Sequence, residues 1–178
     1  MKPLDPDPVK LFVAILFSDQ ERLERAMEQM TAEFGPLDYR SEPMEFTESD
    51  YYQKEMGYPI VRIFISFRDL ADPGSLAQTK NKTNEIEDRL VVEGKRKVNL
   101  DPGYMDVCKV VLASAKYNGQ KVYLGQGIYA DPNLQYQKGH FTAYPWSFPD
   151  FKNGRYEKIF LRIRELYKAK MRKGREEP

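Results

Sequence analysis

The order of apolar and polar positions along the chain changes period several times, and each change marks an element. Lys10 to Phe17 is apolar on both faces, with seven consecutive apolar residues from Leu11, as befits a central strand in a sheet covered on at least one side. Ser18 and Asp19 then offer N-cap oxygens. Leu23, Ala26, Met27, Met30 and Phe34 recur at helical spacing, and Gly35-Pro36 stops the helix. Tyr39 to Thr47 reads as a second strand, placed near an edge or bulged by Pro43. Ser49 to Gly57 reads as a polar and aromatic loop, and Ile60 to Phe67 as a third, β-branched strand. Asp72-Pro73-Gly74-Ser75 opens a helix running to about Val91. Its apolar marks, Leu76, Ile86 and Leu90, are sparse, so that helix is expected to be largely exposed. Lys97 to Leu100 forms a short fourth strand leading into a turn at Asp101-Pro102-Gly103-Tyr104.

That order is βαββαβ, the ferredoxin-like unit of an α+β protein, with helices on one face of an antiparallel sheet. Beyond it, Val107 to Lys116 fits helix or strand equally by periodicity. The Asn118-Gly119 pair after it is a type I′ hairpin signal that favours a strand end before the turn. Val122 to Ala130, Asn133 to Gln137 and His140 to Tyr144 read as further strands, a C-terminal meander extending the first sheet. Tyr156 to Met171 closes the chain as an amphipathic helix with Ile159, Phe160, Ile163, Leu166 and Tyr167 inward. No linker splits residues 1–178, so a single domain is expected, with 1–8 and 172–178 flexible.

Composition narrows the class. At 178 residues and 41% hydrophobic content the chain can build a core without staples, and its only cysteine, Cys108, excludes an internal disulfide and any multi-thiolate metal site. Lys and Arg total 28 against 27 Asp and Glu, so the basic excess of a typical nucleic-acid binder is missing and such a partner is disfavoured. The longest apolar run is too short to cross a bilayer, and the Pro/Asp-rich lead before it is no secretory signal. A cytoplasmic location and no membrane partner are expected.

Candidate chemistry gathers in the second half. Asp101 and Tyr104 flank the Pro-Gly pair, where side chains and exposed amides could surround a ligand, although such a pair also simply makes a turn. Ser114, Lys116, Tyr123, Gln126 and Tyr129 lie close in sequence. If the run is regular, Tyr123, Gly125, Gly127 and Tyr129 share one face and form an aromatic-flanked glycine floor, suited to a planar ring or to ordinary sheet packing. His140 is the only histidine, so no multi-histidine metal centre is possible and a Ser/His/Asp triad would depend on it alone. Trp146 belongs to Tyr144-Pro145-Trp146-Ser147-Phe148-Pro149-Asp150-Phe151, an aromatic segment that could wall a pocket or cap the core. No cofactor motif is present. Asn81-Lys82-Thr83-Asn84 places an asparagine where a guanine-reading N-K-x-D needs aspartate, no Walker A loop exists, and Gly125-x-Gly127 lacks the rest of a dinucleotide fingerprint.

Four blocks, Asn99 to Tyr104 with Lys109 to Ser114, Tyr123 to Gly125, Gly127 to Ala130, and Trp146 to Phe151, resemble a prokaryotic family of about this length classed as a domain of unknown function. Its members sometimes carry a GTP-binding label, for which this sequence has no motif. The resemblance implies a prokaryotic, cytosolic setting and no particular activity. Three functional readings follow. The first is a binding protein for a small planar or phosphorylated ligand, such as a nucleotide, using Asp101, Tyr104, Lys116, Tyr123, Tyr129, His140 and Trp146. The second is a homodimeric interaction protein, and the third an enzyme with Asp101 or His140 as general acid or base.

Overall fold

The computed structural model describes residues 2–176; Met1 and residues 177–178, parts of the segments expected to be flexible, lie outside them. The elements in chain order are β1 (Val9–Phe17), α1 (Gln20–Phe34), β2 (Leu37–Arg40), β3 (Met44–Glu45), α2 (Asp50–Met56), β4 (Val61–Ala71), α3 (Leu76–Arg89), β5 (Val98–Met105) and β6 (Lys109–Ser114). There follow β7 (Val122–Gly125), β8 (Ile128–Gln137), β9 (His140–Ala143), α4 (Pro149–Lys152) and α5 (Glu157–Glu176). The strands form one nine-stranded antiparallel sheet in the order β2-β4-β1-β5-β6-β8-β7, with β3 continuing β2 along β4 and β9 pairing with β8.

The first four positions are the interleaved order of the ferredoxin-like unit, and the second half extends the same sheet, as its patterning implies. β1 is buried along its whole length because it has a layer on each face. Leu11, Val13, Ile15 and Phe17 pack against Leu23, Ala26 and Met30 of α1 and Ile86 of α3, whereas Phe12 and Ala14 face Tyr156, Phe160 and Ile163 at α5. Helices therefore cover both faces of the sheet: α1 and α3 lie on one, as expected, and α5 on the other. The Asp19 carboxylate caps α1 by accepting from Arg22 N–H at 3.0 Å, and Gly35, at φ 92°, ends it.

Several local expectations are corrected. The loop expected at Ser49 to Gly57 contains α2, whose fully buried Met56 packs with Leu16, Phe46 and Ile60. The helix expected to be exposed, α3, buries Leu76, Ala77, Thr79, Lys80, Thr83, Ile86 and Glu87. Lys109 to Ser114 is strand, but Asn118-Gly119 does not join a hairpin, because β8 lies between β6 and β7. The tight turn sits instead at Gln126-Gly127, with φ 55° and 78°, both positive as a type I′ loop requires. Gly125 and Gly127 thus form no flat floor. The run folds back there, and Tyr123 and Tyr129 face one another across β7 and β8.

Candidate functional site

β5 and β6 begin side by side and then part. Their register is Met105–Val110, Tyr104–Val111 and Gly103–Leu112, and it ends there. The sequence gives the reason. Leu100 turns its backbone edge away from β1, since its N–H donates to Glu87 Oε1 at 2.7 Å and its carbonyl accepts from Lys80 Nζ at 2.7 Å. By strand alternation Pro102 turns the same edge toward β6, but proline has no N–H to continue the ladder. Asp101-Pro102-Gly103-Tyr104, expected to be a turn, is therefore the middle of β5, and its proline opens the sheet. Two side chains of α3 supply the hydrogen bonds that a neighbouring strand would have made.

The parting holds a cavity of about 450 Å³. Ala14, Asp101 and Leu112 contribute from the sheet, and Ala14, in register between Phe64 and Asp101, leaves room because it is small. Arg62 enters from β4 and Asp131 from β8. Tyr51 and Tyr52 of α2 and the segment Phe148 to Phe151 wall the far side.

Much of the lining is both charged and buried. The Arg62 Nη2 lies 3.4 Å from Asp150 Oδ2, which also accepts from the Tyr156 hydroxyl at 2.9 Å. Burial pushes the Asp150 carboxyl above its ordinary value, with Arg62 pulling the other way. Lys80 spans from α3 to Asp101 at 3.4 Å and to Glu87 at 3.9 Å, and burial likewise raises Glu87. Arg96 forks onto Glu55 through two contacts of 2.7 Å and reaches Glu87 and Asn99, while Asn99 donates to Asp101 Oδ2 at 2.7 Å. Across the gap, Lys121 Nζ is 3.4 Å from Asp131 Oδ2 and donates to Ser114 Oγ at 2.8 Å. Burial raises Tyr52 as well. Among the described residues, no group of His, Cys, Asp and Glu is placed to hold a metal ion.

Of the residues singled out from sequence, Asp101 and Lys116 line this cavity, Lys116 with its ammonium 5.3 Å from the Tyr51 ring centre. The others do not. Tyr104 is half-buried against Leu76, Val111 and Ile128 on the opposite face. Tyr123 and Tyr129 make a ring pair 5.2 Å apart near the β7 edge, which Tyr117 extends. Tyr129 stands opposite Ser114, a lining residue. His140 is exposed on β9 and contacts Glu157 at 2.9 Å, so of the two candidate acid–base residues only Asp101 reaches the cavity. Trp146 stacks on Tyr144 at 4.9 Å and donates to the Pro132 carbonyl, and its neighbours Phe148 to Phe151 supply the wall. Sequence reasoning placed Asp150 only within a segment that could wall a pocket and singled out none of Arg62, Lys80, Lys121 and Asp131. The available signal was a charge in register with an apolar stripe: Arg62 interrupts a β-branched strand, and Lys80 falls in the series Leu76, Lys80, Thr83, Glu87.

Fold and site together define an α+β open-sheet protein with a charged cleft where the sheet parts. Residues 7–167 match the family model described as a domain of unknown function (DUF4416), and the chain belongs to that family. No curated protein and no solved structure matches the chain. Among the described residues, no helix is long and apolar enough to cross a membrane.

Proposed function

We propose that the protein binds a small organic ligand, anionic and presenting a ring face, base or sugar, in the cleft between β5 and β6. The observation that carries this reading is the gathering of Arg62, Lys80, Lys121, Asp131 and Asp150, all nearly closed to solvent, around one cavity. Taking such charges out of water costs several kcal/mol per ion, and apolar side chains would fill a purely structural gap at less cost. Charged, desolvated groups lining a cavity are what a binding site requires. The volume lies within the usual range for small-molecule sites. Tyr51, 57% exposed, and Phe148, 49% exposed, offer ring faces at the opening, and Lys116 adds positive charge beside them.

The test is native mass spectrometry of protein taken directly from cells, repeated on Ala115→Trp, which plugs the cavity from an exposed lining position. The expected result is a co-purifying small molecule carried by the wild type and lost in the variant. A ligand at a hundred times its Kd should add about 2.7 kcal/mol, raising the melting temperature by roughly 5–11 °C. A wild type that carries nothing and that a broad metabolite library does not stabilise would refute the reading. An edge observation favours a second one: β7 exposes Val122, Tyr123 and Leu124, a surface that a second copy could cover, and light scattering tests this directly.

A further inference from the structure

Two buried side chains of the cavity are only half satisfied. Arg62 is 5% exposed; its Nη2 reaches Asp150, while Nε and Nη1 have no hydrogen-bond partner among the described residues. The rings of Phe46 and Phe64 flank the guanidinium, with centres 5.1 and 5.8 Å away, and neither accepts as an oxygen would. Asp131 is 4% exposed; its Oδ2 faces Lys121, while Oδ1 has no donor among the described residues. A buried polar group without a partner is costly, and native chains pair nearly all of them. Here one cation lacks acceptors, one carboxylate oxygen lacks a donor, and both side chains line the same cavity.

Their placement adds a dimension. Arg62 stands on β4 and Asp131 on β8, with β1, β5 and β6 between them. At about 4.8 Å per strand step the two backbone positions are roughly 19 Å apart across the sheet, and on β1 they fall level with Leu16 and Phe12, about 13 Å apart along the strand, so the two side chains together reach across only about half of the separation and adjacent atoms of one ligand cannot serve both groups.

Resting on the reading of the cleft as a ligand site, we infer that its ligand is an elongated bipolar molecule. One end carries an anionic oxygen group, phosphate or carboxylate, that takes the free N–H groups of Arg62. The far end carries an N–H or O–H that donates to Asp131. The unpaired atoms are closed to solvent at rest, so binding includes a small adjustment of the side chains around them. Molecules whose charged ends sit on neighbouring atoms, such as α-amino acids, are excluded. Phosphorylated sugars and mononucleotides share the required chemistry.

Titration calorimetry with 5′-AMP, glucose 6-phosphate, adenosine, glucose, inorganic phosphate and tryptophan tests this. The expected result is that one of the two phosphorylated probes binds the wild type, and its source class follows from which. Its dephosphorylated form and free phosphate should each bind at least about tenfold more weakly. Arg62→Met should weaken the phosphorylated probe by about tenfold to a hundredfold and leave the dephosphorylated form unchanged. Asp131→Leu should weaken both forms of that probe. Arg62→Lys, with circular dichroism on every variant, separates loss of the guanidinium fork from loss of fold. Affinity equal to that of the wild type in both Arg62→Met and Asp131→Leu overturns the inference, as does a wild type that prefers tryptophan or binds none of the six. If Ala115→Trp still blocks the probe in the case of equal affinity, the cleft stands and only the bipolar ligand falls. If Ala115→Trp leaves probe binding intact, the cleft reading itself falls.

Discussion

Gly103→Ala is the sharpest test of how the cleft is built. A Cβ at position 103 would stand 2.5 Å from the Val111 carbonyl oxygen, 2.7 Å from Phe12 Cζ and 3.0 Å from Leu112 Cδ2. The first of these is backbone of the paired strand and cannot turn aside, so β6 must move away at its last rung with β5. Forcing extra atoms into a packed core costs about 1–3 kcal/mol, occasionally more, and a carbonyl at this distance places the expected loss at about 2 kcal/mol or above. The lower chain entropy of unfolded alanine returns roughly 0.4–1 kcal/mol, too little to cancel it. For a chain of this size the melting temperature should fall by roughly 4–8 °C. Urea unfolding read by circular dichroism measures the effect. Gly119→Ala, where a Cβ meets nothing within 4 Å, should stay within about 0.5 kcal/mol of wild type. A Gly103→Ala protein as stable as Gly119→Ala would mean that β5 and β6 do not approach as described.

Three further outcomes follow from the packing and the buried charges. Ile86→Ala should cost about 2–4 kcal/mol in urea unfolding, because Ile86 is 2% exposed beneath α3, whereas an exposed helix would lose under about 0.5 kcal/mol. Asp150 and Glu87 have folded-state values raised by burial, so the native protein holds their protons more tightly than the unfolded chain. That contribution is complete below their ordinary values of 3.8 and 4.5 and is lost as pH rises through the folded values. Asp150→Asn, which cannot titrate, should therefore gain ground on the wild type as urea midpoints are taken upward from pH 3.8; a constant gap would contradict the burial. Lys10 is fully buried, donating to Asp38 and to the Phe67 carbonyl, and desolvation pulls its value down. Lys10→Met should destabilise by about 3 kcal/mol by stranding Asp38, and Lys10→Met with Asp38→Ala should recover part of that loss in a double-mutant cycle.

Where one side of an element decided its fate, the chain's own pattern was enough to place it. β1 reads as central because Leu11 to Phe17 is apolar at every position, and α1 because cap, stripe and stop agree. Pro43 marks the break between β2 and β3 at the edge. The exposure of α3 was misjudged because its buried face carries Thr79, Lys80, Thr83 and Glu87: the threonine hydroxyls donate back to the Ser75 and Lys80 carbonyls, and the partners of Lys80 and Glu87 lie on β5, beyond any local window. The cleft was half visible for a similar reason. Asp101 and Lys116 stand out in sequence, yet Arg62 and Asp150 meet across 88 positions and become a pair only once the sheet has formed. Asn118-Gly119 misled because turn chemistry states that the chain bends and cannot state which strand then slips between.

The bracing of Leu100 by Lys80 and Glu87 has a mechanical consequence. A missing strand normally leaves a loose margin, but this margin is tied to a helix on the far side of the sheet, so the width of the opening is set by the seating of α3. Asn81 links the same helix to Gln126 at the turn between β7 and β8, on the other bank of the gap. The helix is thus a crossbar bolted to both jambs, and a partner that leaned on its outer surface would widen or narrow the doorway without ever entering it.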